Sequence, residues 1–292
     1  MEPELIEIKQ DRPGFDRFIG SWLCPLDKTM VVDVGPSRSL PQLIDSLTAR
    51  GVRRVDYVLL THIHMDHAGG LAEFLDHFPM ARAVCHGKAI PHLVDPSKLW
   101  LGSQKTLGDL AEAYGPIKPV GRERLIPHTE AQAEGIDLIE TPGHAVHHLS
   151  FIIEGNLFAG EAGGIHLKGE GWEYLRPATP PVFLLKQFVE SIDRLLASRD
   201  LTMCYAHFAR AESSHLMLKR ERAQLFLWEQ IIKEEMAGSD PLPLERCMVR
   251  LLGDDPELRA FKDMPPVDQE REKFFMGNSI NGYLGFLQQG DR

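Results

Sequence analysis

Three histidines and an aspartate, His62, His64, Asp66 and His67, fall within six residues of the run Thr61-His62-Ile63-His64-Met65-Asp66-His67-Ala68-Gly69-Gly70. Imidazole and carboxylate are the usual ligands of zinc and similar divalent ions. In an extended turn His62 and His64 point the same way, because side chains alternate along extended backbone. Asp66 and His67 are displaced from that pair and can face a second position beside it. One short loop can thus feed two adjacent ions. Three further residues stand just past expected strand ends: His144 in Thr-Pro-Gly-His, Glu161 in Phe-Ala-Gly-Glu and His207 in Cys-Tyr-Ala-His. Loops at strand ends are where layered scaffolds place their chemistry. Each of the three alone fits a cap or a satisfied core position equally well. Taken with the first motif they point to one metal centre.

The elements around these residues alternate between strand and helix. Strands are expected at Leu5 to Ile8, Phe18 to Cys24, Thr29 to Val34, Val55 to Leu60, Ala81 to Cys85, Gly135 to Glu140 and Met203 to Ala206. The apolar run Val55 to Leu60 suits a strand buried on both faces. Leu149 to Ile153 and Leu157 to Ala159 form an expected hairpin around Gly155-Asn156. Helices are expected at Leu40 to Arg50, stopped by Gly51, at Gly69 to Phe78, and at Pro181 to Ala197. Asp95-Pro96 starts another, with Trp100, Leu107, Leu110 and Tyr114 on one face and Gly115 at its end. Beyond Ala211 the pattern is helical, over Leu216 to Met236, Leu244 to Leu252 and Arg271 to Leu287. The expected division is a strand-rich catalytic core over 1–210 and a helical extension over 211–292 packed on it.

Composition excludes several classes. The chain has 292 residues, 43% hydrophobic and 25% charged, too apolar for disorder. Its net charge of −10 disfavours nucleic acid and anionic membranes as partners. No apolar run is long enough for a spanning helix. The first ten residues carry Glu2, Glu4 and Glu7 and no basic cluster, so no signal peptide is expected there. Cys24, Cys85, Cys204 and Cys247 are widely spaced and form no CxxC pair, which suits a reducing cytoplasm. Trp22 and Trp100 read as packing residues, Cys85 and Cys204 as buried, and the run Lys219 to Arg222 as a solvated helix face. The tail's apolar face either docks on the core or forms a homodimer interface.

The spacing His-x-His-x-Asp-His after a hydrophobic strand, then Thr-Pro-Gly-His, an acidic residue after Gly160 and a late histidine resembles the metallo-β-lactamase superfamily over about residues 4 to 210. The resemblance implies an α+β fold, a four-layer αβ/βα sandwich with two mixed sheets inside and helices outside. It implies that His62, His64 and His144 hold one ion, that Asp66, His67 and His207 hold a second, and that Glu161 bridges them. Asp33, in Val-Val-Asp-Val-Gly, matches a position that steadies the site without touching the ions, and also reads as a strand-end turn residue. His148 matches a second supporting position, whereas His147 stands where the family has glycine. Glu161 itself departs from the family's aspartate by one methylene. Acyl-homoserine lactonases of the superfamily place a tyrosine shortly after that acid to polarise the substrate carbonyl. Here Gly164 stands there, and His166 either reaches the pocket instead or lies on the surface. The flavodiiron branch replaces the second histidine of the motif with Glu, unlike His64, and no basic patch serves a nuclease. The pattern is closest to stand-alone hydrolases of glyoxalase II and lactonase type, with the helix from Pro96 and the tail as cap.

The chemistry implied is hydrolysis. Two divalent ions, offset by Asp66, Glu161 and one hydroxide, leave about one net positive charge, which pulls a bridging water's pKa toward neutrality. The hydroxide then attacks a small ester, lactone or thioester, and Asp66 orients it and returns a proton as the catalytic acid and base. Zinc is the expected metal; iron and manganese suit the same donors. The alternative is a mononuclear non-haem iron oxidoreductase of persulfide dioxygenase type, using His62 or His64 with His144 and Glu161. A third is a binding module that has kept the fold. The pocket walls are expected from residues 91 to 105, 165 to 180 and the tail.

Overall fold

The structure, a computed structural model, describes residues 2–131, 135–207, 209–237 and 243–289. The first sheet begins with β1 (Glu4–Glu7), β2 (Gly20–Pro25) and β3 (Thr29–Val32), paired antiparallel with Trp22 opposite Val32. α1 (Leu40–Ala49) buries Leu40, Leu43 and Leu47 on one face. It is the crossover that parallel strands require, and β4 (Tyr57–Leu59) follows parallel to β3. The histidine loop leads into α2 (Met65–Ala68) and α3 (Leu71–His77), then β5 (Arg82–Cys85). Three helices come next, α4 (Ile90–Val94), α5 (Ser97–Leu107) and α6 (Asp109–Tyr114), before β6 (Leu125–Pro127) closes a sheet of order β1-β2-β3-β4-β5-β6.

The second sheet contains β7 (Ile136–Glu140), β8 (Leu149–Ile153) and β9 (Asn156–Gly160). A separate hairpin, β10 (Ile165–Gly169) with β11 (Trp172–Arg176), follows, then α7 (Leu185–Leu196). β12 (Thr202–Tyr205) lies parallel to β9 and β13 (Arg210–Ala211) antiparallel to β12, giving the order β13-β12-β9-β8-β7. The remaining helices are α8 (Ser214–Met236), α9 (Pro243–Asp254), a 3-10 helix over Pro256–Asp263, and α10 (Pro266–Gln289).

The sheets face each other. Trp22, Met30, Leu59 and Val84 of the first pack with Phe151, Ile153 and Phe158 of the second in one buried cluster. A larger cluster lies between the sheets' outer faces and the helices, and holds residues from Ile6 to Tyr283. The expected α+β sandwich of two mixed sheets with helices outside is present, and no helix among the described residues is long and apolar enough to cross a membrane.

Four local expectations change. The helix expected from Pro96 to Tyr114 is two, because Gly108 adopts φ +55° and ψ −128°, a region essentially restricted to glycine. The hairpin turns at Glu154 and Gly155, both at positive φ, one residue earlier than expected; Asn156 begins β9 and its amide donates to the Ile153 and Glu154 carbonyls. α10 starts at Pro266 rather than Arg271, since proline is accepted in a first helical turn. α4, β6 and the β10–β11 hairpin have no counterpart in the sequence reading; β6 has only three residues, too few to show a period.

Candidate metal centre

All seven candidate donors meet just past the ends of β4, β7, β9 and β12. They form two groups, one of His62, His64, His144 and Glu161 and one of Asp66, His67 and His207, each with ligand atoms within 4.8 Å of one another. All but His64 and Asp66 are buried. Glu161 stands between the groups. Its Oε2 is 2.6 Å from His144 Nε2 and 3.2 Å from His62 Nε2, while Oε1 is 3.2 Å from His207 Nε2.

Hydrogen bonds fix which nitrogen of each ring faces inward. His144 Nδ1–H donates to the Ala178 carbonyl at 2.8 Å and His207 Nδ1–H to the Phe18 carbonyl at 3.1 Å. His67 Nδ1–H donates to Asp33 Oδ2 at 3.0 Å. Thr61 Oγ1–H donates to the same Asp33 oxygen at 2.7 Å, so the Thr61 oxygen accepts from His62 Nδ1–H at 3.1 Å. The Nε2 lone pairs of all four rings therefore point into the site. His64 turns its Nδ1 inward, 3.0 Å from His62 Nε2 and 2.9 Å from His144 Nε2. Three lone pairs this close repel unless a cation lies among them. His67 Nε2 is buried without a hydrogen-bond partner among the described residues. Donor types, inward lone pairs and this orphaned nitrogen all fit divalent metal ions.

In the absence of a cation, burial and the neighbouring rings His67 and His64 push His62 well below the usual histidine range, and burial with His144 does the same to His64. Burial would also lower His67, but Asp66, Asp33 and Glu161 together raise it to about 10. Burial would raise Glu161, yet His144, His207 and His62 hold it well below the usual carboxylate range.

The supporting residues have definite partners. Asp33 accepts from the Thr61 backbone N–H at 2.9 Å as well as from Thr61 Oγ1 and His67. His148 is buried; its Nδ1–H donates to Thr141 Oγ1 at 2.8 Å and its Nε2 accepts from the Glu161 backbone N–H at 3.1 Å. It thereby holds the Glu161 backbone in place. His147 lines the cavity over the centre, and its Nδ1 is buried without a partner among the described residues. His166 is neither on the surface nor in the cavity. It is fully buried on β10, with Nε2 2.6 Å from Glu173 Oε1, because alternation along the strand turns it away from Ile165, which does line the cavity.

A cavity of about 420 Å³ opens over the centre. Its walls come from Lys98, Leu99 and Ser103 of α5, from Ala178 to Val182, and from Phe275, Asn278 and Ser279 of α10, the three regions the sequence suggests. The lining is mainly apolar, and Val146 and Val182 are exposed at the cavity, 47% and 80%. No tyrosine fits at position 164. A Cβ there would overlap the Glu221 carboxylate and lie 2.7 Å from the Arg176 carbonyl.

Three features escaped the sequence. Tyr114 lines the cavity with its hydroxyl unpartnered among the described residues, and nothing in its surroundings in the chain marks it. Arg176, also at the cavity, is held by Glu272, 96 residues later. A third histidine group, His86, His128 and Glu140, also has metal-like spacing. There both Nδ1 atoms accept from backbone N–H groups, of Lys88 at 3.0 Å and Gly87 at 3.3 Å. Each neutral ring then carries its proton on Nε2 and directs it to Glu140, His128 at 2.8 Å, so this corner is tied by hydrogen bonds rather than built for an ion.

Comparison with known proteins agrees with this geometry. A family model described as the metallo-beta-lactamase superfamily matches residues 22–207. A metallo-beta-lactamase fold-containing protein of Sulfurisphaera tokodaii is 30% identical over 217 residues, covering 70% of this chain and 79% of its own. A hydroxyacylglutathione hydrolase of Aeromonas salmonicida is 30% identical over 176 residues, 60% of this chain and 55% of its own. Among solved structures, an archaeal metallo-beta-lactamase superfamily protein from Sulfolobus tokodaii superposes with a TM-score of 0.70 at 23% identity, covering 97% of this chain and 98% of the other. With a buried set of imidazoles and carboxylates at its strand ends and a family match across most of its length, the chain belongs to the metallo-β-lactamase superfamily.

Proposed function

We propose that the protein is a dinuclear metal-dependent hydrolase of a small ester, lactone or thioester. The observation that carries this reading is the Glu161 carboxylate, one oxygen beside His144 and His62 and the other beside His207. Although one methylene longer than the family's aspartate, the Glu161 side chain has an oxygen near each group of donors. His62, His64 and His144 would hold the first ion, Asp66, His67 and His207 the second, and Glu161 both. When bound, the ions supply a hydroxide at neutral pH and polarise the substrate carbonyl.

The chain's own residues do the rest. Asp33, Thr61, Ala178 and Phe18 fix the tautomers of the donors, so the centre is preorganised. Asp66, half-buried at the cavity edge, is placed to orient the water and hand its proton to the leaving atom. The apolar walls exclude bulk water and favour a substrate with an aliphatic or aromatic acyl part. The distant likeness to a hydroxyacylglutathione hydrolase supports a thioester among the substrates to be tried. Four buried cysteines without disulfide partners suit a cytoplasmic setting.

The deciding experiment is metal content per chain by plasma mass spectrometry, on protein purified without added metal or chelator, followed by assay on ester, lactone and thioester panels. Two ions per chain, zinc first among them, with turnover of one panel is the expected result. One iron per chain with oxygen uptake in the presence of persulfides would replace this reading with the mononuclear oxidoreductase.

A further inference from the structure

Tyr114 ends α6, is 1% exposed, and lines the cavity above the metal centre. Its hydroxyl is buried without a hydrogen-bond partner among the described residues. Buried tyrosine hydroxyls usually find a partner, and leaving one unpaired costs stability; Tyr174 and Tyr205 also lack one among the described residues, but of the three only Tyr114 lines the cavity. An unpaired phenol at a reaction site is therefore a group kept for a ligand.

Its surroundings narrow the ligand. The charged groups acting on the phenol are Asp66 and Glu161 of the centre, with Arg271 and Arg12. Burial and the Asp66 carboxylate keep it protonated far above the usual tyrosine range, so it retains an O–H to donate. The ring is also held rigidly. The break at Gly108 reorients α6 so that Leu110, Ala111 and Tyr114 are buried together. The Tyr114 carbonyl accepts from Ser37 Oγ at 3.3 Å, and the ring meets Phe15 edge-on with centroids 6.4 Å apart. A donor fixed before the substrate arrives is the arrangement that stabilises charge as it develops.

We propose that Tyr114 Oη donates a hydrogen bond to the substrate's carbonyl oxygen on the Asp66 and His207 side of the centre, an inference that rests on the hydrolase reading above. When hydroxide adds to the carbonyl carbon, the C=O π pair moves onto that oxygen, where the phenol meets the new charge. When the pair returns, the bond to the leaving oxygen or sulfur breaks with its electrons. The leaving atom then takes the proton released when water became hydroxide. Tyr114 keeps its own proton throughout.

The test is Tyr114→Phe in the full zinc-loaded chain, assayed with 4-nitrophenyl hexanoate and with hexanoate, a product-like carboxylate, by calorimetry. Zinc per chain stays unchanged. The thermal midpoint stays level or rises, because an unpaired hydroxyl has gone. KM changes by less than about twofold, kcat falls by about 100-fold, and hexanoate binds about fivefold more weakly. A kcat equal to wild type, or a loss that comes with lost zinc or a lower midpoint, overturns the proposal. Should wild-type protein fail to turn over any ester, thioester or lactone, the hydrolase reading falls, and hexanoate alone decides for Tyr114: weaker binding in the variant sustains it, equal or undetectable binding overturns it.

Discussion

Asp33 satisfies three donors with two oxygens while its own backbone sits at φ +56°. Asparagine tolerates that conformation as well as aspartate does, so Asp33→Asn isolates the carboxylate's effect on His67 and Thr61. Metal affinity should fall by about 10–100-fold, measured by competition with a chromophoric chelator, with little change in fold. Gly164 is a second such residue. It adopts φ +76°, and a Cβ would press into the Glu221 carboxylate and the Arg176 carbonyl. Gly164→Ala should cost about 2–4 kcal/mol, from left-handed strain and overpacking together, read from the urea midpoint. The same crowding explains why the lactonase tyrosine has no place here: the space belongs to α8.

At the scale of elements, α8 carries a buried carboxyl without a hydrogen-bond partner among the described residues. Glu221 is fully buried, and neither of its oxygens has a partner among the described residues. Burial, with Asp255 nearby, pushes its carboxyl well above the usual value of 4.5. The native state then keeps this proton to higher pH than the unfolded chain does, so its contribution to stability is full below about pH 4.5 and is lost as pH rises through the native value. Glu221→Gln removes that loss. The variant's thermal midpoint should decline less than wild type's as pH rises above about 5. Elements also mark where the sequence was readable. The His62 to Gly70 run could be placed between β4 and α3 because strand, loop and helix each carry a local signal, and the other three donors because each follows an expected strand. The split of α5 from α6 depends on one glycine's dihedral angles. The β10–β11 hairpin was missed although Ile165-His166-Leu167 and Trp172-Glu173-Tyr174 alternate, because its strands are bounded by glycines and carry charges that read as loop. Tyr114 was invisible as a site residue because only the docking of α6 beside α2 brings it to the cavity.

At the scale of the molecule, α10 is bound to the rest through a buried ionic knot. Arg176 of β11 donates to Glu272 Oε2 at 2.5 Å, Arg271 donates to Glu272 Oε1 at 2.9 Å, and Arg271 also donates to the Gly14 carbonyl. Glu272→Ala would leave the buried Arg176 guanidinium uncompensated and Arg271 with only Asp268, 3.8 Å away, and should cost about 3–5 kcal/mol, measured by urea unfolding. Metal per folded chain should not change, since the candidate donors lie in residues 62 to 207, while KM for any substrate turned over should rise because α10 supplies Phe275, Asn278 and Ser279 to the cavity wall. Ser279 is also stitched to the strand-to-helix segment before α7, accepting from Thr179 N–H at 3.4 Å and donating to Pro177 O at 3.2 Å. Ala178, between them, holds His144.

That order of parts along the chain separates two events in the protein's making. Translation delivers every one of the seven donors before the first residue of α10 leaves the ribosome. The growing chain thus carries all seven candidate donors at a stage when the cavity still lacks its last wall. The last wall, which also braces through Ser279 the segment that holds His144, is thus the last part of the site to be made.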